Sequence, residues 1–322
     1  MTFAAPGART GDRSEVRRRG LLRRRASAQP GRAGYAKPGR AGTTGRPVGA
    51  SRTGTAVSRT VAVLVGLVFL LPFYYVVVTS LNSSSATSSL SGILLPHWHW
   101  DNYARAWDSQ PWARFFLNTV LVGSATTALV LITSMLAGFA FGVMRFRGRN
   151  ALFLLVLSVL MVPTTVLLIP DYVIATDINW LNTYWIQIIP FGASVFGIFL
   201  VRQFFLGLPA ELFDAAELDG AGRLRMLWYI GVPMVRPALL IIGLNTFMAS
   251  WNSFLWPLIM TTSPSVQPIE VGVSSFAGAD GTDFTAMCAA VTFTTLPVLV
   301  LFLALQRQFI TGAMAATGGV RG

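Results

Sequence analysis

Apolar and polar blocks alternate along this chain on a long period. After a polar N-terminal stretch come six hydrophobic runs, at about Val61–Ser80, Asn118–Met144, Ala151–Pro170, Tyr184–Phe205, Ala238–Ile259 and Ala286–Leu305. Each is about 20 residues or longer, enough for a helix to cross a hydrocarbon layer of about 30 Å. Inside that layer no water is available to the backbone, so a spanning segment of this kind must be helical. The pattern predicts an all-α polytopic membrane protein with six transmembrane helices. Pro163 and Pro170 in the third run and Pro297 in the sixth each remove a helix hydrogen bond and mark sites of kinking.

Composition agrees with that class. Hydrophobic residues make up 53% of the 322 and charged residues only 12%, about half the charged share of a soluble domain. The formal charge of +12 is concentrated at one end. Residues 1–60 hold thirteen arginines and Lys37 against Asp12 and Glu15, and the rest of the chain is neutral. Few large apolar residues accompany this Gly-, Pro- and Ser-rich stretch, so residues 1–58 are expected to form a disordered Arg-rich tail. Contact with anionic lipid or nucleic acid is the lesser reading of that charge, and no nucleic-acid partner is expected. "RRGLLR" (Arg18–Arg23) stands too far ahead of the first apolar run to serve as a twin-arginine signal. The single cysteine, Cys288, permits no internal disulfide.

Charge also orients the spans. With the N-terminus inside, the inner connectors hold Arg145, Arg147, Arg149, Arg202, Arg223, Arg225, Arg236, Arg307 and Arg321, and the outer ones only Arg105 and Arg114. The outer connectors also carry Asp101, Asp108, Asp171, Asp177, Glu270, Asp280 and Asp283. Both termini are therefore expected in the cytoplasm. "PHWHWDNYARAW" (Pro96–Trp107) and "WNSFLWPLI" (Trp251–Ile259) read as interfacial aromatic belts, with stacking on a sugar or an outer partner as the alternative. His97 and His99 lack the further ligands of a metal site, so no metal is assigned.

Two absences bear on energy supply. The six runs contain no Asp, Glu, Lys or His, and their only charge is Arg202. A proton-coupled carrier needs an ionisable group within the membrane; a sodium-coupled carrier using carbonyls and hydroxyls remains the alternative. The chain's only lysine is Lys37, and no G-x-x-x-x-G-K-[ST] occurs. A phosphate-cradling loop needs that lysine, so the chain has no conventional ATPase of its own and no catalytic residues are assigned.

One polar stretch, "DAAELDGAGRLRMLWYIGVP" (Asp214–Pro233), interrupts the apolar pattern before the fifth run. Pro209 suits a helix start, Glu211 and Asp214 complement its dipole, and Gly220 suits its left-handed C-cap. Glu211, Asp214 and Glu217 share one side of the wheel, while Leu212, Ala215 and Ala216 lie elsewhere. A second amphipathic stretch, Leu224–Ile230, is expected to stop at Pro233. The small residues Ala215, Ala216 and Gly220 would let another surface approach closely.

This stretch resembles the signature of permease subunits of ATP-binding-cassette importers: E-A-A, three residues, Gly, nine residues, I-x-L-P. Asp214, Ala215, Ala216, Gly220, Ile230, Val232 and Pro233 match its spacing, with Asp for Glu and Val for Leu. "WDNYARAW", "FLNTVLV" (Phe116–Val122), "VPTTVLLIP" (Val162–Pro170), "WNSFLWPLI" and "QRQFITGAMAATGGVRG" (Gln306–Gly322) are similar to the carbohydrate, maltose-type members. The resemblance implies a type I importer permease fold over 59–310, with its core at about 114–306 and a cytoplasmic C-terminal tail over 311–322. It implies that Asp214–Pro233 is a coupling helix docked on a separate ATPase, and that Gly318, Gly319 and Gly322 reach the same ATPase pair. The implied partners are a sister permease, two ATPase subunits, an extracytoplasmic sugar-binding protein, membrane lipid and a sugar. ATP and magnesium would be held by the ATPase, leaving no cofactor in this chain, and the site of action would be a bacterial plasma membrane.

The sidedness is testable. In a chain freed of Cys288, Ser265→Cys is expected to react with an impermeant thiol reagent in intact cells or spheroplasts, and Glu217→Cys is not. Labelling of the opposite sidedness overturns the map.

Overall fold

A computed structural model describes residues 52–85, 89, 92, 94–278 and 281–318. The chain divides into residues 1–59 and 60–322. The Arg-rich tail lies outside the described residues up to position 51, as do Gly319 and Gly322.

The described chain is almost entirely helical. The helices used below are α1 (Arg52–Ser80), α2 (Asp101–Asp108), α3 (Trp112–Gly142), α4 (Arg149–Ser158), α5 (Leu168–Asp177), α6 (Tyr184–Ile188), α7 (Val195–Leu206), α8 (Glu211–Leu218), α9 (Arg223–Met226), α10 (Val232–Met234), α11 (Arg236–Trp251), α12 (Leu255–Met260), α13 (Ile269–Ser274) and α14 (Phe284–Gly318). A single antiparallel ribbon pairs Ala277–Gly278 with Gly281–Thr282. Four helical segments are long and apolar enough to cross a membrane: Ser58–Ser80, Trp112–Gly142, Tyr184–Leu206 and Phe284–Leu301. Two bent pairs bring the number to six when each is taken as one span.

Those bends correct the expected third and fifth spans. The third is not one rod over Ala151–Pro170: Arg149–Met161 and Thr164–Asp177 meet at 82°. Val162, which precedes Pro163, is extended at φ −89° and ψ 116°, because the proline ring disfavours helical backbone in its predecessor. Pro170 lies in the first turn of α5, where a missing N–H is tolerated. In the fifth span, Arg223–Met234 and Arg236–Trp251 meet at 81°, and α11 ends at Trp251, so Ala238–Ile259 is not continuous. Pro297 does not break its helix: α14 runs through it and on past residue 311.

The centre of the bundle is the contact between α3 and α7. Ser134, Gly138 and Gly142 recur every fourth residue along α3, as Gly197, Val201 and Phe205 do along α7. A Cβ on Gly138 would stand 2.5 Å from Val201 Cγ1, one on Gly142 would stand 2.8 Å from Phe205 Cβ, and one on Gly197 would stand 2.3 Å from Ser134 Oγ. Helix α3 thus offers glycines where α7 presents Val201 and Phe205, and at Gly197 and Ser134 both helices are small. Between apolar helices in lipid, where burial gives little drive, close packing of this kind supplies the attraction. Helix α11 packs on the same core through Ile242, which is buried with Val130, Met135 and Phe139.

At the Trp112 end of α3, side chains hold the connecting backbone. Asn118 Nδ2 donates to the carbonyls of Ser265 at 3.1 Å and Gln267 at 2.8 Å, and its Oδ1 accepts from Tyr184 OH at 2.7 Å. Asn182, at φ 61°, accepts from the N–H groups of Thr262 and Ser263 at 3.0 and 2.8 Å. Thr119 Oγ1 accepts from the N–H of Ile269. These side chains satisfy irregular backbone that would be costly to bury unpaired. Asn102 in α2 does the same for α1, donating to the carbonyls of Ser80 and Asn82. Trp98 and Trp100 are exposed and stacked at 6.1 Å, with Trp98 at φ 58°. Little of α1 below this end is buried in the chain.

Gly138→Leu is expected to cost at least about 1–3 kcal/mol, since its Cβ already overlaps Val201. Thermal unfolding in detergent measures this, and Val201→Ala in the same chain is expected to recover part of the loss. Unchanged unfolding in Gly138→Leu would show that α3 and α7 do not depend on this contact.

Candidate coupling segment

At the Gly142 end of α3 the chain leaves α7, turns at Pro209 and forms α8. The first free N–H groups of α8 are paired within the turn: Leu212 donates to the Pro209 carbonyl, and Phe213 and Asp214 to that of Ala210. The far end closes as a Schellman motif. Gly220 has φ +76°, its N–H donates to the Glu217 carbonyl at 3.0 Å, and the N–H of Ala221 reaches back to the Ala216 carbonyl at 2.9 Å. A Cβ at Gly220 would meet nothing within 4 Å. The position therefore requires glycine for its backbone conformation and, within this chain, not for space.

Two residues attach α8 to the bundle. Phe213 and Ala216, three apart and so on one face, are buried. Phe213 packs edge-on against Phe139 of α3 and Phe205 of α7, at ring separations of 6.0 and 6.2 Å, and those two rings stand 5.5 Å apart. Such edge-to-face pairs contribute about 0.5–1.5 kcal/mol each beyond their area. This corrects the small-residue face expected from sequence. Ala216 is turned inward and lets α8 approach its own bundle, while Ala215 and Gly220 face away. The outward side also carries Leu218, 89% exposed, which the polarity of its neighbours concealed.

After Gly220 the chain turns inward again. Met226 and Leu227 are buried in the cluster that holds Phe213, and Ile230 and Val232 pack against it half-buried. Leu224, Trp228 and Tyr229 are exposed, with the Arg225 guanidinium 5.9 Å from the Tyr229 ring. Pro233 does not stop the helix. Residues Leu227–Gly231 form one wide π-turn, in which the N–H of Val232 donates to the Leu227 carbonyl, and α10 continues to Met234. The direction changes at Val235, which is fully buried. Of the seven signature positions, Ala216, Ile230 and Val232 thus fix the segment to its own chain. Asp214, Ala215, Gly220 and Pro233 remain exposed.

Beside α8 lies a cleft of about 510 Å³. Phe139, Phe205, Phe213 and Met226 line it, together with Asp214 and Glu217 from α8, Arg145 from the α3–α4 connector, Arg149 from the first turn of α4, and Arg223 from α9. Among the described residues no ion pair joins these carboxylates to these guanidinium groups. Arg149 instead donates to the Met144 carbonyl at 3.1 Å. Deeper along α7, the Arg202 guanidinium covers the Phe153 ring at 4.1 Å and its Nε donates to the Phe141 carbonyl.

Comparison with known proteins bears on this arrangement. Residues 134–310 match the family model described as the binding-protein-dependent transport system inner membrane component. The chain is 32% identical over 264 residues to the arabinooligosaccharides transport system permease protein AraQ of Bacillus subtilis, covering 80% of this chain and 93% of that protein. It is 31% identical over 272 residues to the sn-glycerol-3-phosphate transport system permease protein UgpE of Yersinia pestis, covering 81% and 97%. Its fold is similar to a chain of a bacterial ABC transporter involved in the import of the acidic polysaccharide alginate, with a TM-score of 0.70, 23% identity and coverage of 80% and 98%. Similarity over about four-fifths of the chain, and a family match over residues 134–310, place the chain in a defined group: it belongs to the binding-protein-dependent transport system inner membrane component family.

Proposed function

We propose that the chain is one of two transmembrane subunits of an ATP-driven importer that moves a sugar or oligosaccharide into the cell. The observation that carries this reading is the α8–α10 segment, at the signature spacing and fixed to the bundle by one face with the other left free. The free side presents Ala215 and Leu218 on the helix closed by Gly220 and Leu224 on α9 beyond it, a surface suited to a groove in a partner. That partner would be a pair of ATPase subunits, which bind ATP and magnesium. The lack of a phosphate-binding lysine motif in this chain supports that division of labour. The terminal glycines Gly318, Gly319 and Gly322 are assigned to the same ATPase pair.

The sugar class is supported by the arabinooligosaccharides named for one relative and the alginate named for the fold neighbour, while the sn-glycerol-3-phosphate named for another relative is a polyol phosphate. A second solved alginate transporter, similar at a TM-score of 0.55, is in complex with a sugar-bound periplasmic protein. By the same likeness a sugar-binding protein would deliver cargo to the Trp112 end of α3, and a sister permease would complete the path. The Gly142 end and both termini would then face the cytoplasm of a bacterium, in keeping with the excess of arginine there.

In this mechanism the residues of the chain act mechanically. Force applied to α8 passes through Phe213 to Phe139 and Phe205, and so to α3 and α7 together. Force on α9 and α10 passes to α11 at Val235, where the chain turns, and also to α7, because Gly231 lies against the Phe205 ring. The two routes meet at Phe205.

Two outcomes test the reading. Reconstituted alone with a sodium or proton gradient, the chain is expected to accumulate no radiolabelled arabinotriose or maltotriose. With sister permease, ATPase and binding protein, ATP-dependent uptake of the cognate sugar is expected. Gradient-driven uptake by the chain alone would identify it as a secondary carrier. Gly220→Val, a β-branched residue at φ +76°, is expected to cost about 1–3 kcal/mol of turn stability and to lower ATPase co-purification roughly ten- to a hundredfold. Gly220→Asn, which accepts a left-handed backbone, is expected to retain most of it. Equal retention by both variants and wild type would reduce the segment to a connector.

A further inference from the structure

The cleft beside α8 is lined by opposite charges: Asp214 and Glu217 from α8, Arg145 from the connector that joins α3 to α4, Arg149 from the first turn of α4, and Arg223 from α9. Among the described residues no ion pair joins these carboxylates to these guanidinium groups. The aromatic contact of Phe139, Phe205 and Phe213 lines the cleft too, and Phe213 and Ala216 are the buried residues of α8. Opposite charges that line one cleft of about 510 Å³ attract each other, and a side chain packed on aromatic rings can pivot without breaking backbone hydrogen bonds.

We propose that the α3–α4 connector and the first turn of α4 form a second coupling element: Arg145 and Arg149 form ion pairs with Glu217 and Asp214 when α8 is driven toward the bundle, closing the cleft and drawing the ends of α3 and α4 along with it. The open cleft is then one end state and the ion-paired cleft the other. This rests on the reading of α8 as the ATPase-docked segment, and it goes beyond that reading in assigning a role to residues outside the signature. Rigid elements with two discrete arrangements transmit coupling in this way. Exposed pairs contribute little individually, so the two arrangements stay close in energy and the element remains reversible.

The test uses the complete transporter with its sister permease, ATPase and binding protein. In a chain carrying Cys288→Ser, Arg145→Cys and Glu217→Cys are joined with a short bis-maleimide, without nucleotide and after trapping with ATP and vanadate. Cross-linking is expected to differ at least about threefold between the two states, and equal yields overturn the proposal. Glu217→Arg and Arg145→Glu are each expected to lower sugar uptake about tenfold, and Arg145→Glu, which lies outside the docked segment, is expected to leave ATPase co-purification at the wild-type level. The double variant, which exchanges the charges, is expected to return to within about threefold of wild type. A double variant no better than the worse single one, or single variants with wild-type uptake, would sink the ion pairing. Co-purified ATPase with unchanging cross-links rejects only the second coupling element. A wild-type chain that retains no ATPase rejects the docked α8 and this proposal together.

Discussion

The α3–α7 contact is the constraint on which the rest of the structure depends. Gly138 and Gly142 leave no room for a β-carbon opposite Val201 and Phe205, and Gly197 leaves none opposite Ser134. The two helices therefore touch where glycines of one admit side chains of the other, and there dispersion is dense and lipid cannot intrude. Phe205 belongs to this contact and also receives Phe213 of α8. The placement of the peripheral segment is set by the same residues that join the two helices.

The other end of the bundle solves a different problem with different chemistry. Its connectors are irregular, and their backbone groups are satisfied by Asn118, Thr119, Asn182 and Gln187 through hydrogen bonds. A hydrogen bond fixes direction as well as distance. Segment 261–269 is held at several points to α3 and α6, so it moves with them. The Gly142 end is held instead by ring contacts among Phe139, Phe205 and Phe213, beside an open cleft.

Much of this was legible in the sequence, and the exceptions have physical causes. Run lengths located the spans because span length is fixed by the membrane. The signature spacing located α8, and Gly220 was recognised as a cap because few other residues adopt its backbone. The 82° bend was only half legible: Pro163 marked the place, but the extended Val162 depends on what surrounds the broken helix. The orientation of Ala216 was misjudged because a wheel shows which residues share a face and not which face is covered. Phe213 decides that, through partners 74 and 8 positions earlier in the chain, Phe139 and Phe205. The recurrence of Ser134, Gly138 and Gly142 every fourth residue was a readable sign of helix contact, but its partner on α7 includes two bulky residues and hides the pairing. The cleft had no sequence signal, since its walls lie some seventy residues apart.

The bareness of α1 has a consequence in time. Its described span is the most apolar of the four single-helix spans, and only 6% of that span is buried in the chain. Near its Ser80 end it is linked to the rest through Asn102, Tyr103 and the Leu94 carbonyl. Such a helix is complete as soon as it enters the bilayer, whereas α3 and α7, with polar and small residues along their contact, gain their stability from each other. During synthesis α1 would therefore settle first and wait, while α3 stays unfinished in the membrane until about fifty more residues have emerged and α7 arrives. That interval, rather than the insertion of any single span, is when the chain is most open to mispairing and to quality control.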